Sequence, residues 1–473
     1  MNKKVAEAYI RKSGIFLGKY GEELNKKAVE LISSMATFLN DTLAEAKLNS
    51  KNSGISPSQD QNRGDRGSKK EKSGNKPGGQ KGHKGNCLRK VENPDKIVNI
   101  PIDLSKLPFG GYKDFGYESR QEIDYKVIRT VTEYRAQTVI NEFGDSYTAA
   151  FPEFLVKPVQ YGISLKSHAV YMSQYQLIPY LRLKDYFAYN FNIQLGTGSI
   201  YNFNKEVYDK LEDFERWVKE QARKANILCS DETGVNINTQ KYWIHTYAGE
   251  LFTYMFPHKS RGQEAVEVIG ILKNFTKHLV HDGWSVYYKY NCIHVRCNAH
   301  HLRELKYVVE NNGFKWAAEM SKLLCEINDQ TDKAGGLLGK TEVESYKKQY
   351  DLIVAQGELE CPLPEKDKSS KKRGRVAKGK ARNLLERFKN KAEEILLFME
   401  SKDVPFTNNI AERAHRMLKV QQKISGCFRS LKGAKISCRI RSYIDTCRKN
   451  NITEIQALEM LFNGKKPDFM DSS

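Results

Sequence analysis

Three acidic residues far apart in the chain have the type and setting to do chemistry: Asp231 in "ILCSDETG", Asp282 in "LVHDGWS" and Glu412 in "VPFTNNIAERAHRMLK". Each aspartate follows a short apolar run that reads as a strand ending in an acid. The C-terminal edge of a sheet is where an α/β domain presents reactive groups. Read singly, either aspartate also fits a helix cap or a turn former. Three carboxylates gathered by folding would repel one another unless cations lay between them. Hard oxygen ligands suit Mg2+ or Mn2+, which keep positions for water and phosphate oxygens. Two such ions, about 3.5–4 Å apart, can activate an attacking hydroxyl and stabilise the leaving oxygen of a phosphodiester. Such chemistry rests on positioning and charge neutralisation, without a covalent protein nucleophile.

Glu412 has a second reading. Asn409 followed three residues later by Glu412 has the spacing of a capping box, with asparagine in the place of Ser/Thr. Beside it Arg413, Arg416, Lys419 and Lys423 recur at helical spacing. They fit a phosphate grip, or a solvated face with a Glu412–Arg416 pair worth about 0.2–0.5 kcal/mol. The run Cys292-x4-Cys297-x2-His300-His301 invites zinc. Its two cysteines bracket a strand, however, and odd spacing on a strand turns side chains to opposite faces. Zinc is not expected.

The chain has 473 residues and a formal net charge of +20, from 77 Lys+Arg against 57 Asp+Glu. That balance implies an anionic partner, nucleic acid or a membrane surface. No stretch approaches about 18 uninterrupted apolar residues, and "MNKKVAEAYIRKSG" lacks the apolar run of a signal peptide. Nine cysteines without framework spacing fit reduced thiols. A soluble, intracellular protein is expected.

The elements that must position the acids follow from periodicity. Within residues 1–48, a helix is expected over 20–47, with Ala28, Leu31, Ile32, Met35, Phe38, Leu39 and Leu43 forming one apolar stripe. Such a stripe needs a partner, either a second copy or the main body. Residues 49–87, rich in Ser, Asn, Gly and Lys, read as a basic disordered linker, either a solvated tether or an arm laid on phosphates. Residues 88–155 look β-rich, in "KIVNIPI", "DYKVIRTVTEY" and "AQTVINEFG". Residues 156–224 are helical, and "PYLRLKDYFAYNF" before "NIQLGTGSIYNFNKEVYDKL" fits a helix-turn-helix or an ordinary helical hairpin, capped by Thr197 or Ser199. Strands and helices interleave over 225–310, the signature of an α/β domain. Residues 311–400 read as helical, broken by the basic "KKRGRVAKGKAR" (371–382), a DNA contact or a solvated loop. Residues 401–473 hold the Glu412 helix and a Lys/Arg-rich helical tail.

Several blocks together resemble the transposases of the insertion sequence 66 family. They are "SDETG", "HDGWSVYY…VRCNAHHLREL" and "ARNLLERFKNKAEEILLFMESKDVPFTNNIAERAHRMLKVQQKISGCFRS". "NSGISPSQ" with "KPGGQKGHKG" looks like the family's N-terminal signature, and "YGISLKSHAVYMSQYQLIPYLRL" like its central segment. The resemblance runs from about residue 49 to 465. It implies a DDE transposase with an RNase H-like core broken by a helical insertion, and maps the catalytic and metal-binding acids onto Asp231, Asp282 and Glu412. Asn408 and Asn409, in the "NNxAER" block, are read as active-site support with Cys297 and His300. The implied work is metal-dependent cleavage at element ends and joining of 3′-hydroxyls to target DNA, with Mg2+ or Mn2+, two ions, as cofactor. The implied partners are DNA, further copies of the chain on DNA, and small companion proteins encoded beside the transposase. The implied location is the bacterial cytoplasm, on the nucleoid. The alternative is a catalytically idle or domesticated DNA-binding regulator. One departure stands out: the paired CxxC motifs of the family's small zinc module have no counterpart, because no cysteine lies between Cys87 and Cys229.

Overall fold

In the computed structural model, residues 88–363 and 378–471 are described, together with a few positions between 11 and 35. Of the N-terminal stripe, Ala28, Leu31, Ile32 and Met35 are helical. Phe38, Leu39 and Leu43, the linker 49–87 and most of the basic run 371–382 lie outside the described residues.

Residues 88–155 differ from the β-rich expectation. Only Thr138–Ile140 (β1) and Ser146–Thr148 (β2) pair, as a small antiparallel hairpin. "KIVNIPI" and "DYKVIRTVTEY" are extended without a partner strand among the described residues, and Ile97, Ile100, Ile128 and Val131 are exposed. Alternating apolar and polar residues suit a pleated strand, yet a strand forms only where another edge accepts its hydrogen bonds.

From Ile163 the chain is helical: Ile163–Val170 (α1), Tyr180–Phe191 (α2), Thr197–Lys210 (α3) and Glu212–Lys224 (α4). A π-helical turn over Tyr171–Tyr175 continues α1. The α2–α3 pair is the expected helix, turn and helix. Its cap is not Thr197 or Ser199: extended Gly196 stands before Thr197, and no side chain closes the cap. Ile200, Phe203, Asn204 and Val207 of α3 are buried against the other helices, while Tyr201, Asn202 and Lys205 face outward.

The central element is a five-stranded sheet in the order β5-β4-β3-β6-β7. Its strands are Ile227–Ile237 (β3), Gln240–Ala248 (β4), Thr253–His258 (β5), His278–His281 (β6) and Ile293–Arg296 (β7). β3, β4 and β5 form an antiparallel meander, whereas β6 and β7 run parallel to β3. Asn238 and Thr239, at φ 46° and 65°, make the β3–β4 turn, a backbone twist that matches paired strands. Sequence reasoning ended the first strand at Asp231; the strand instead runs on to Ile237. Thr233, Val235 and Ile237 keep it paired with β4 after its parallel pairing to β6 has stopped at Cys229. Asp231 therefore sits just beyond the parallel ladder, while Asp282 follows the end of β6.

Each face of the sheet is covered. Leu228 and Leu279 face a core shared with α1–α4 and the C-terminal helices Leu431–Lys449 and Glu454–Phe462. Cys229, Val280 and Val295 face a second core. That core holds Asn298–Asn312 (α6) and the expected insertion: Lys315–Lys333 (α7), Lys340–Glu360 (α8), Lys380–Asn390 (α9) and Ala392–Glu400 (α10). The short helix Gln263–Ile269 (α5) lies between β5 and β6. The Glu412 helix, Asn409–Ser425 (α11), packs Ala414 and Leu418 on Val235, Ile237 and Ile244. The Lys/Arg-rich segment after it is helical, as expected, and is packed into the body of the protein. Helix Leu431–Lys449 (α12) buries Ile436, Ile440, Tyr443, Ile444 and Cys447, and Glu454–Phe462 (α13) closes the same core.

Candidate active site

Three elements supply the acids. Asp231 comes from the central strand, Asp282 from the turn after β6, and Glu412 from the first turn of α11. They share one electrostatic neighbourhood. Burial pushes the Asp231 carboxyl well above the usual range, and the charges of Glu232, Asp282 and Glu412 push it further. Glu412 is raised as well, mainly by burial. Each acid faces a basic side chain. Asp231 lies 3.5 Å from His415 Nε2, Asp282 lies 3.7 Å from Arg261, and Glu412 lies 3.7 Å from Arg303 and 3.9 Å from His300 Nδ1. Burial holds His415 and His300 down at about 4, so both face the acids as neutral imidazoles.

The residues fit a cation. Glu412 Oε1 is buried and has no hydrogen-bond partner among the described residues. A buried carboxylate oxygen without a hydrogen bond, near two further carboxylates, is what a divalent ion would relieve. The acids do not form a single-ion cage: Asp231, Asp282 and Glu412 are not among the ligand sets whose atoms all lie within 4.8 Å of one another.

Asn408 fixes Glu412 in place. Its backbone N–H donates to Cys297 Sγ at 3.2 Å, and its Nδ2 donates to the Ser230 carbonyl at 2.7 Å. The start of α11 is thereby tied to the residue before Asp231 and to the N-cap of α6. The expected capping box is not formed. Asn408, not Asn409, is the N-cap; its side chain is used on Ser230, and Asn409 is exposed. The physical reason is that the buried Ser230 carbonyl on β3 takes the Asn408 amide that would otherwise be free to cap.

Cys297 caps α6 and is buried, its backbone N–H bonded to the His281 carbonyl at 3.0 Å. His300, one turn on, reaches Glu412, so both side chains stand in the site's wall. The four Cys and His residues of the sequence run do not gather. Cys292 Sγ lies 3.9 Å from His294, and His301 bonds Asn298 Oδ1 at 3.0 Å.

Of the four basic residues on α11, Arg413, Arg416 and Lys423 are exposed. Lys419 is not available as a phosphate contact. It is half-buried and donates to the Gly234 carbonyl, which clamps α11 to β3. In place of the Glu412–Arg416 pair that the solvated-face alternative requires, the carboxylate contacts Arg303 and His300 of α6.

Several residues escaped sequence reasoning. Glu232, buried behind Asp231, accepts from Tyr287 and pairs with Arg261 at 3.2 Å. Burial raises it to about 7. Arg261 stands between the rings of Trp243 and Trp284, at 4.9 and 4.6 Å, and bridges Glu232 to Asp282. Gly283 adopts φ +89°, and a Cβ there would fall 1.0 Å from Arg296 Nη1. His415 had a readable signal, the i, i+3 spacing from Glu412. Arg261 had none, because it lies in a loop whose path is set by the sheet.

A family model described as "Transposase IS66 family" matches residues 158–436. The match covers more than half of the chain and spans all three acids. The chain belongs to the IS66 family of transposases. Transposition is therefore its class of function, with a nuclease or transferase kind of activity and DNA as the material acted on. A second model, described as a family of unknown function, matches residues 20–89 of this IS66 family member. No curated protein matches it. No helix among the described residues of the transposase is long and apolar enough to cross a membrane.

Proposed function

We propose that this transposase cuts DNA at the ends of its insertion element and joins the resulting 3′-hydroxyls to target DNA. Asp231, Asp282 and Glu412 would hold two Mg2+ or Mn2+ ions, which when bound activate the attacking oxygen and stabilise the leaving one. The observation that carries this reading is the gathering of the three acids: the charges of Asp282 and Glu412 both act on buried Asp231, and Glu412 Oε1 is buried without a hydrogen bond among the described residues, with a 3.7 Å ion pair to Arg303. The sheet order, with one antiparallel meander and two added parallel strands around the strand bearing Asp231, supports an RNase H-like core.

The chain's own residues have separate roles in this reading. Asn408 and Cys297 set the position of Glu412, and Arg261 orients Asp282 while balancing Glu232. Arg413, Arg416 and Lys423 face outward beside the site, where phosphates would pass. Helices α2 and α3, with the segment 88–155, are assigned to binding element ends, and the N-terminal stripe to assembling copies on DNA. Companion proteins encoded by the element would join that assembly. A soluble protein working on the bacterial nucleoid follows from the same reading. A catalytically idle regulator is not favoured, because an idle descendant has no reason to keep three acids gathered at one site.

The test is a cleavage and joining assay on labelled element-end DNA with Mg2+, comparing the natural chain with Asp231→Asn and Asp282→Asn. Loss of both reactions with retained DNA binding is the expected result. Near-normal strand transfer by either variant would overturn the assignment.

A further inference from the structure

Among the described residues, one group of metal-ligating side chains has all its donor atoms within 4.8 Å of one another: Cys297, His300 and Glu412. It is not the acid triad, and the sequence run that invited zinc contains only part of it. Cys297 and His300 come from the start of α6, in the C-x2-H spacing that brings both side chains to one end of a helix. Glu412 comes from the start of α11. The two helix starts are joined by the hydrogen bond from Asn408 N–H to Cys297 Sγ.

We propose that Cys297, His300 and Glu412 form a site for a thiophilic divalent ion of the zinc class, which on binding withdraws Glu412 from the magnesium pair. The second half rests on the reading of Glu412 as a magnesium ligand; the first half does not.

Two further observations support a ligand here. His300 Nδ1 and Glu412 Oε1 are both buried and both lack a hydrogen-bond partner, although they lie 3.9 Å apart. Two facing polar atoms in that state are waiting for something between them. The Asn408 N–H already provides the outer hydrogen bond that steadies a coordinating sulfur. Zinc bonds of about 2.0–2.3 Å need only modest inward rotation of the three side chains. One coordination position would remain for water. The donor set also selects the metal: sulfur and imidazole favour zinc over magnesium, whereas the oxygen-only triad favours magnesium. The charges facing the site are Arg303, 3.7 Å from Glu412, and Asp282, whose charge reaches both Glu412 and His300, together with Arg416 acting on Glu412 and Arg296 and Arg387 acting on His300. Arg303 is partly exposed and its Nε is held on the Ala299 carbonyl at 3.1 Å, so its tip can turn outward when a cation arrives. This revises the expectation from sequence that the chain has no use for zinc.

Zinc bound by Cys297 and His300 would draw the Glu412 carboxylate toward α6 and away from Asp231 and Asp282, so zinc would act as a brake on strand cleavage. The experiment is a Co2+ titration of the full chain, with thiolate-to-cobalt charge transfer and the visible bands of a tetrahedral ion as readout. Zn2+ is then used to displace the cobalt. The expected result is a tetrahedral spectrum that is lost in Cys297→Ser, which keeps an acceptor for Asn408, and in His300→Ala. Asp231→Asn should leave it unchanged. Absence of the spectrum from the natural chain, or its survival in Cys297→Ser, would overturn the site. Excess Mg2+ should weaken cobalt binding, and Zn2+ should slow Mg2+-dependent cleavage at least tenfold. A Cys297-dependent spectrum insensitive to Mg2+, with cleavage unaffected by zinc, would leave the metal site standing. That outcome would instead overturn Glu412 as a magnesium ligand.

Discussion

At the scale of single residues, the site trades stability for charge. Asp231 is mostly buried beside three other carboxylates, which favour its neutral form. Asp231→Asn keeps the shape and removes the repulsion, so the variant should melt a few degrees above the natural chain in magnesium-free buffer. Calorimetry checks this, and an unchanged or lower melting temperature would show that the acids are not in conflict. Glu412→Gln separates the two readings of that residue. A capping role would tolerate glutamine, but no capping box is formed at the start of this helix. Cleavage should therefore fall by at least about a hundredfold, roughly 2.7 kcal/mol of barrier, with DNA binding kept. The two asparagines should also part company. Asn408→Ala strands the Ser230 carbonyl and should cost about 1–3 kcal/mol in denaturant unfolding. Exposed Asn409→Ala should cost under about 0.5 kcal/mol.

At the scale of elements, the acids are held by contacts that leave little room for error. The α11 helix is pinned at its start by Asn408 and further along by Lys419 on the Gly234 carbonyl, while Ala414 and Leu418 fill the space over β3. The insertion is pinned as tightly to itself. A Cβ on Gly357 of α8 would lie 2.6 Å from Leu385 Cδ1 and 3.1 Å from Trp316 Cγ. Helices α7 and α9 approach α8 there because glycine allows it. Gly357→Ala should lower stability by about 1–3 kcal/mol through overpacking, even though alanine is the better helix former by roughly 1 kcal/mol. Thermal unfolding of the full chain gives the sign: stabilisation would mean that the helices can move apart freely. These contacts explain why a helical insertion can stand between Asp282 and Glu412 without separating them. α6 leaves the sheet edge beside Asp282, and α10 returns to β7, its Ile395 carbonyl bonded by Asn298 at 3.0 Å.

At the scale of the whole molecule, charge dominates. With a net charge of +20, much of the affinity for DNA should come from release of counterions. If about 6–10 phosphates are contacted, binding should weaken by roughly 10³–10⁵ between 50 and 200 mM salt. A binding constant independent of salt would contradict this. The sequence by itself determined that charge, the order of strands and helices from residue 163 onward, and that all three acids lie within the stretch that matches the family. Those properties are local or compositional: periodicity, spacing and counts survive without a fold. Only the tertiary structure decided the partners. It turned Lys419 from a phosphate contact into a clamp on β3, moved the cap from Asn409 to Asn408, and set Arg261 between two tryptophans to serve Glu232 and Asp282. It also left the apparent strands near residues 97 and 128 unpaired. Each of these outcomes depends on which distant group comes within a few ångströms of a polar atom. Hydrogen bonds and ion pairs act only at that range, so no one-dimensional pattern contains them.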